Sequence, residues 1–205
     1  YKIELDTGWD VPPGVLHAPA SLCTYEPQFA SDVYAMYQSV LYGGHCVPED
    51  LLWKNCPEEE KGNFDYLMDV IDWEANVDPD FKKHRFMRPT MCRVNEKYCE
   101  EWICYKSKLV CAKRLTIRPN QSVTIVDNAA YGLIAIEGYG EIGTWKVETP
   151  TLIRYGELTN DEFFVSEAAA KQGVTFTNAS ATEDLVILKH FAENPDLFVD
   201  FPELK

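Results

Sequence analysis

From Pro89 onward, apolar and polar residues alternate in short runs that predict strands over 101–105, 110–118, 122–126, 131–137, 141–145, 152–155, 162–165, 173–177 and 185–191. Gly, Pro, Asn and Asp punctuate these runs at the spacing of roughly 8–12 residues that marks a sandwich or roll. Near the start, 1–5 alternates as a half-buried strand does, and 22–26 and 33–41 are rich in aromatic and β-branched residues, which also predicts strands. The pattern between them and Pro89 is helical. Pro48-Glu49-Asp50, Pro57-Glu58-Glu59-Glu60 and Asp78-Pro79 each put a proline and acidic side chains where a helix starts. Phe64, Leu67, Met68 and Ile71 recur at three- and four-residue steps, an amphipathic stripe facing a core, while Gly62 interrupts the run before it. A helix is also predicted over 166–170.

The composition narrows what this pattern can serve. Of 205 residues, 46% are hydrophobic and 13% aromatic, enough for a sizeable core. The balance of 19 basic against 33 acidic residues, net −14, argues against nucleic acid or anionic membrane as a partner bound through bulk charge. No apolar run approaches the ~20 residues of a membrane span, so an acidic cytoplasmic protein is expected. The seven cysteines contain no C-x-x-C pair, which fits reduced thiols better than a zinc knuckle or a redox site. The sequons Asn120-Gln121-Ser122 and Asn178-Ala179-Ser180 are chance matches on that reading.

Candidate chemistry concentrates between Gly8 and Gln38. Pro12-Pro13-Gly14-Val15-Leu16-His17 combines a fixed φ with a permissive glycine, so a rigid bend delivers one imidazole. Glu26 follows nine residues on, then Gln28. In a strand these two face the same side, with Tyr25 and Phe29 opposite. A carboxylate beside an amide suits hydrogen bonding to a polyol or to a metal-bound water. Tyr34 and Gln38 extend the same pocket. His45, His84 and His190 have no acid at ligand spacing and read as surface residues.

Pro12, Gly14 and His17 resemble the second metal motif of the cupin superfamily. The run Gly14, His17, Ala18, Glu26, Gln28, Ser31 and Asp32 is similar to that of type I mannose-6-phosphate isomerases. Arg118-Pro119-Asn120-Gln121 and Ile136-Glu137-Gly138-Tyr139-Gly140 resemble the turns around a cupin's first motif. The resemblance implies an all-β bicupin, a double-stranded β-helix or jelly roll. Residues 1–44 would be the second half of a first roll, 45–94 a helical connector, 95–192 a complete second roll and 193–205 a tail. The rest of the first roll is expected ahead of Tyr1. His17 would be a metal ligand (zinc, with manganese, nickel or iron as alternatives) and Glu26 the catalytic pocket residue. Gln28, Tyr34 and Gln38 would contact the substrate. With one imidazole, this chain alone would hold the metal weakly.

The implied function is that of a metal-dependent sugar or sugar-phosphate isomerase, the metal polarising an open-chain sugar for proton transfer. A half roll exposes sheet edges, so a second copy or the preceding segment is expected as cover. A second reading stands beside it: a non-enzymatic cupin, acting as a carbohydrate-binding or oligomerisation module. Met36 occupies the position where those isomerases carry Arg. No histidine falls at Val126-Asp127-Asn128 or at 166–170, where the second roll's metal motifs belong, so that roll is expected to be metal-free. Its aromatics Tyr131, Tyr139, Trp145, Phe163 and Phe164 are expected in the core or at an interface.

Overall fold

A computed structural model describes residues 1–18, 22–29, 35–107, 109–152 and 155–192. The chain forms two compact units, one of Val11–His84 and one of Tyr1–Asp10 with Arg85–Lys205.

The Val11–His84 unit is built from short helices: α1 (Asp50–Trp53), α2 (Phe64–Asp69), α3 (Trp73–Asn76) and α4 (Phe81–Arg85), whose last residue crosses into the other unit. Asn63 caps α2 by accepting from the Asp65 and Tyr66 amides, and Asp72 caps α3 by accepting from Ala75. The helix predicted after Pro57 is therefore divided. A 3-10 turn at Glu58–Glu60 ends before Gly62, and α2 starts anew at its own cap. Val15, Trp53, Leu67, Ile71 and Ala75 are buried here. The stripe expected between Phe64 and Ile71 is thus half realised, with Leu67 and Ile71 inside and Phe64 and Met68 exposed.

The larger unit holds the strands β1 (Gly8–Trp9), β2 (Phe86–Met87), β3 (Thr90–Val94), β4 (Tyr98–Cys104), β5 (Cys111–Ile117), β6 (Ser122–Ile125), β7 (Tyr131–Glu137), β8 (Tyr139–Ile142), β9 (Trp145–Glu148), β10 (Glu162–Val165), β11 (Val174–Asn178) and β12 (Leu185–Phe191). A helix, α5 (Glu167–Gln172), lies between β10 and β11. Ser166 caps it and Gly173 ends it at a positive φ. Among the described residues β1 pairs only with β2. A six-stranded sheet runs β10-β7-β12-β5-β4-β3 and a four-stranded sheet runs β6-β11-β8-β9, with every pairing antiparallel. From β5 to β12 the eight strands divide four and four between the sheets, and the chain crosses between sheets at nearly every step. That order is a jelly roll, with β4 and β3 widening its larger sheet. Among the described residues the sheets share no strand pairing, so the roll is a two-sheet sandwich and not a closed barrel. Its core takes side chains from both inner faces, Leu115, Ile117, Leu133 and Ile187 from the larger sheet and Ile125, Ile142, Val147 and Phe176 from the smaller.

Local chemistry explains the crossings. Gly138 adopts φ 82°, and a Cβ there would come 2.5 Å from the Asp184 carbonyl. The glycine lets the chain leave β7 and enter β8 against the start of β12. Asn178 is buried, its amide donates to the Ile117 and Glu183 carbonyls, and it accepts from the Ser180 amide. One of the two sequons is thus a structural tie between β11 and β5.

Several strand boundaries differ from expectation. The run 141–145 is not one strand but the hairpin of β8 and β9, turning at Gly143 with φ 61°. β3 lacks a clean alternation, because its pairing with β4 carries a bulge between Met91 and Arg93. The predicted strand at 152–155 falls partly outside the described residues. In 1–44, the described residues contribute β1 and an isolated bridge from Val40 to Cys46. Leu22–Glu26, expected as a strand, is irregular and mostly exposed. Prolines at 12, 13, 19 and 27 remove ladder donors through this stretch.

Candidate functional site

The bend read from Pro12 to His17 is present. Gly14 has φ 80°, and a Cβ on it would come 2.8 Å from the Asp72 amide. Asn76 clamps the bend by donating to the Gly14 carbonyl at 2.7 Å and accepting from the Leu16 amide at 2.9 Å. The Asp72 amide donates to the Gly14 carbonyl as well. Val15 is pulled inside by this clamp and His17 is left exposed. His17 Nδ1 lies 2.9 Å from the Val15 carbonyl, which leaves Nε2 as its ligand nitrogen.

The expected surroundings of that imidazole are different. His17 belongs to the Val11–His84 unit of short helices. Glu26 is exposed on irregular chain and accepts from Thr24 Oγ1 at 2.7 Å. Gln28 is exposed, and Gln38 is exposed with its amide donating to the Val40 carbonyl. Tyr34 lies outside the described residues. Without a strand to alternate on, Glu26 and Gln28 have no shared face. Among the described residues no group of three or more His, Cys, Asp and Glu side chains is placed to hold a metal ion.

The polar centre that does form lies inside the roll. Lys113 on β5 and Lys189 on β12 are 0% exposed and stand directly opposite each other across the antiparallel pair. Their register explains the burial. Lys113 shares the inward face with Cys111, Leu115 and Ile117, and Lys189 shares it with Leu185, Ile187 and Phe191. Two like charges in this position would repel strongly. Asp127, in the loop after β6, lies between them, 3.0 Å from Lys113 Nζ and 2.7 Å from Lys189 Nζ. Its backbone amide is fixed on the Ala170 carbonyl of α5.

Glu100 on β4, also fully buried, pairs through one oxygen with Lys189. Its other oxygen lies 3.8 Å from Lys113 and 3.4 Å from Arg93 of β3. These contacts are ionic, because neither Glu100 oxygen meets hydrogen-bond geometry. Arg93 also reaches Asp127 at 3.6 Å and donates to the Val126 carbonyl, and it is the one partly exposed member of the cluster.

Aromatic rings complete the shell. Lys113 Nζ lies 4.6 Å from the Trp102 ring centre, and Lys189 Nζ lies 5.2 Å from that of Tyr131. Burial alone would raise the Asp127 carboxyl, but the Lys189 and Lys113 ammonium groups outweigh it and hold it below the usual carboxylate range. Burial, then the Asp127 and Glu100 carboxylates, push the Tyr131 hydroxyl well above its ordinary value. That hydroxyl is buried and has no hydrogen-bond partner among the described residues.

Of the aromatics expected in the core or at an interface, Tyr131 is buried and Phe163 half-buried. Tyr139, Trp145 and Phe164 are exposed. The cluster itself carried a sequence signal, lysines at inward positions of otherwise apolar strands, that reading for imidazoles passed over. A divalent metal does not fit it, because ammonium groups cannot ligate a cation and already neutralise both carboxylates.

Compared with known protein families and with curated proteins, the sequence matches none. Solved structures similar to it include an RmlC-like cupin protein from Ralstonia eutropha, with 8% identity over 51% of this chain and TM-score 0.36. The match spans 64% of that protein's length. An RmlC-like cupin from Shewanella frigidimarina is similar at 10% identity over 54% of this chain and 89% of its own, TM-score 0.36. KdgF from a Halomonas species is similar at 12% identity over 53% and 90%, with the same TM-score. Likeness at this level carries no weight of its own, and the roll is assigned from its strand order.

Proposed function

We propose that this chain is a cupin-type roll working without a metal, as an oligomerisation or carbohydrate-binding module and not as a sugar isomerase. One observation carries the reading: the polar centre of the roll is closed by its own charges, with Lys113, Lys189, Glu100 and Asp127 each at 1% exposure or less. A catalytic carboxylate or amine must reach its substrate, and these four are engaged with one another, with Arg93 and with aromatic rings.

Oligomerisation takes precedence within this reading. Phe164, on the edge strand β10, is 76% exposed and opposes Gly132 of β7, two positions along the same face from Ile134. An uncovered apolar edge is a natural place for a second chain to pair.

The test uses protein purified without chelator. Elemental analysis is expected to find no stoichiometric zinc, manganese, nickel or iron. Incubation with aldose and ketose phosphates in D2O should incorporate no deuterium at the carbon next to the carbonyl. Sedimentation should show an oligomer that Phe164→Asp weakens. Stoichiometric metal together with deuterium uptake would restore the isomerase reading built on His17 and Glu26.

A further inference from the structure

We propose that a second copy of this chain pairs with β10, joining the two larger sheets edge to edge about a two-fold axis with Phe164 opposite its own counterpart. The pairing rests on the reading of the chain as an oligomerisation module.

The main chain of β10 presents that edge at defined residues. Glu162 stands opposite Ile134 of β7, so Asp161 continues the register opposite Ala135. The Ala135 amide donates to the Asp161 carbonyl at 2.8 Å, which makes these two a hydrogen-bonded pair. Such pairs alternate along an antiparallel ladder, so Phe163 and Val165 also bond to β7. Glu162 and Phe164 then turn their N–H and C=O groups to the open side. β10 is the last strand of its sheet, and among the described residues no hydrogen bond reaches those groups.

The side chains select the partner and the register. Phe164 opposes Gly132, and the His190 ring fills the space that a side chain on Gly132 would need. β7 therefore offers Phe164 no side chain directly across from it. A two-fold axis at the edge sets residues of the same face opposite each other. With Phe164 opposite Phe164, the two rings meet on the outer face. Phe163 and Val165, which pack on the core of their own roll, then meet on the inner one. Glu162 falls opposite Ser166, where α5 begins and the ladder stops. Sliding the copy by two residues instead sets Glu162 against Phe164 and Asp161 against Val165, carboxylates on apolar side chains. The strand is thus complementary to itself in one register.

The full chain is followed by sedimentation and by amide hydrogen exchange over a range of concentrations. The Glu162 and Phe164 amides are expected to be protected in the dimer, and dilution to monomer or Phe164→Asp should remove that protection. In a second experiment the exposed thiols are removed by Cys23→Ser and Cys46→Ser, and Phe164→Cys or Glu162→Cys is added before oxidation with copper phenanthroline. Cα atoms of a hydrogen-bonded pair lie about 5.5 Å apart, within disulfide reach. Glu162 and its counterpart would lie about 14 Å apart. Phe164→Cys should therefore form a covalent dimer and Glu162→Cys should not. A dimer whose Glu162 and Phe164 amides exchange as in the monomer overturns the edge pairing and leaves the oligomer reading intact. A Phe164→Cys chain that dimerises without cross-linking overturns the register. Exchange on the wild type decides the edge even where a variant weakens association. A chain that is monomeric at every concentration overturns both the pairing and the oligomer reading.

Discussion

Asp127 shows most directly how this roll tolerates ions in its core. It neutralises two lysines that the sheet register forces face to face, and they in turn hold its carboxyl below the ordinary value. The folded protein therefore binds this proton less readily than the unfolded chain. The stabilisation is whole above about pH 4, the usual aspartate value, and is lost as pH falls through the depressed one. Asp127→Asn should cost about 3–5 kcal/mol at neutral pH, because it strands buried ammonium groups. It should also flatten the fall of stability below about pH 4. Urea unfolding at a series of pH values measures both, and parallel curves for variant and wild type would refute the assignment. The inward register of Lys113 and Lys189 was legible in the alternation of their strands. Their partner was not, since Asp127 lies 14 residues from one and 62 from the other.

At the level of elements, strands were legible where alternation met a partner. β7, β10 and β12 match their predicted runs. Leu22–Glu26 has the right residue types but no neighbouring strand, and propensity without pairing leaves irregular chain. The β8–β9 hairpin was read as one strand because its turn at Gly143 is too short to interrupt an apolar–polar pattern. Glycine at the sheet crossings is the most exacting requirement. A Cβ on Gly140 would overlap the Thr177 carbonyl of the paired strand β11, and backbone cannot step aside as a side chain can. Gly140→Ala is expected to destabilise the roll by roughly 2 kcal/mol or more. A urea midpoint close to wild type would show that β8 can shift away from β11.

For the whole molecule, the connection between β1 and β2 carries the main surprise. The Asp10 amide donates to the Arg85 carbonyl, and the Asp10 carboxylate accepts from Arg85 Nη1 at 2.7 Å. The segment Val11–His84 thus leaves the larger unit and returns to it at adjoining residues, as an inserted unit does. Replacing Val11–His84 with a short Gly/Ser loop should leave the roll folded, with its β-type circular dichroism and a cooperative unfolding transition. Loss of that transition would show that the roll depends on the excised unit. A linear reading took residues 1–44 as the second half of a first roll. Nothing local marks Asp10 and Arg85 as neighbours, 75 residues apart.

Alternation and turn residues were enough to set the strand content of the second half, because period-two burial is written directly into residue order. The bend at Gly14 was equally plain, since its φ and its close approach to Asp72 are demands on one residue. Only the folded chain decided which sheet each strand joined, that the imidazole of His17 faces solvent, and that two lysines and two carboxylates close the centre of the roll. Those outcomes depend on long-range pairing, and a buried charge is stable only where a distant part of the chain supplies its counterion.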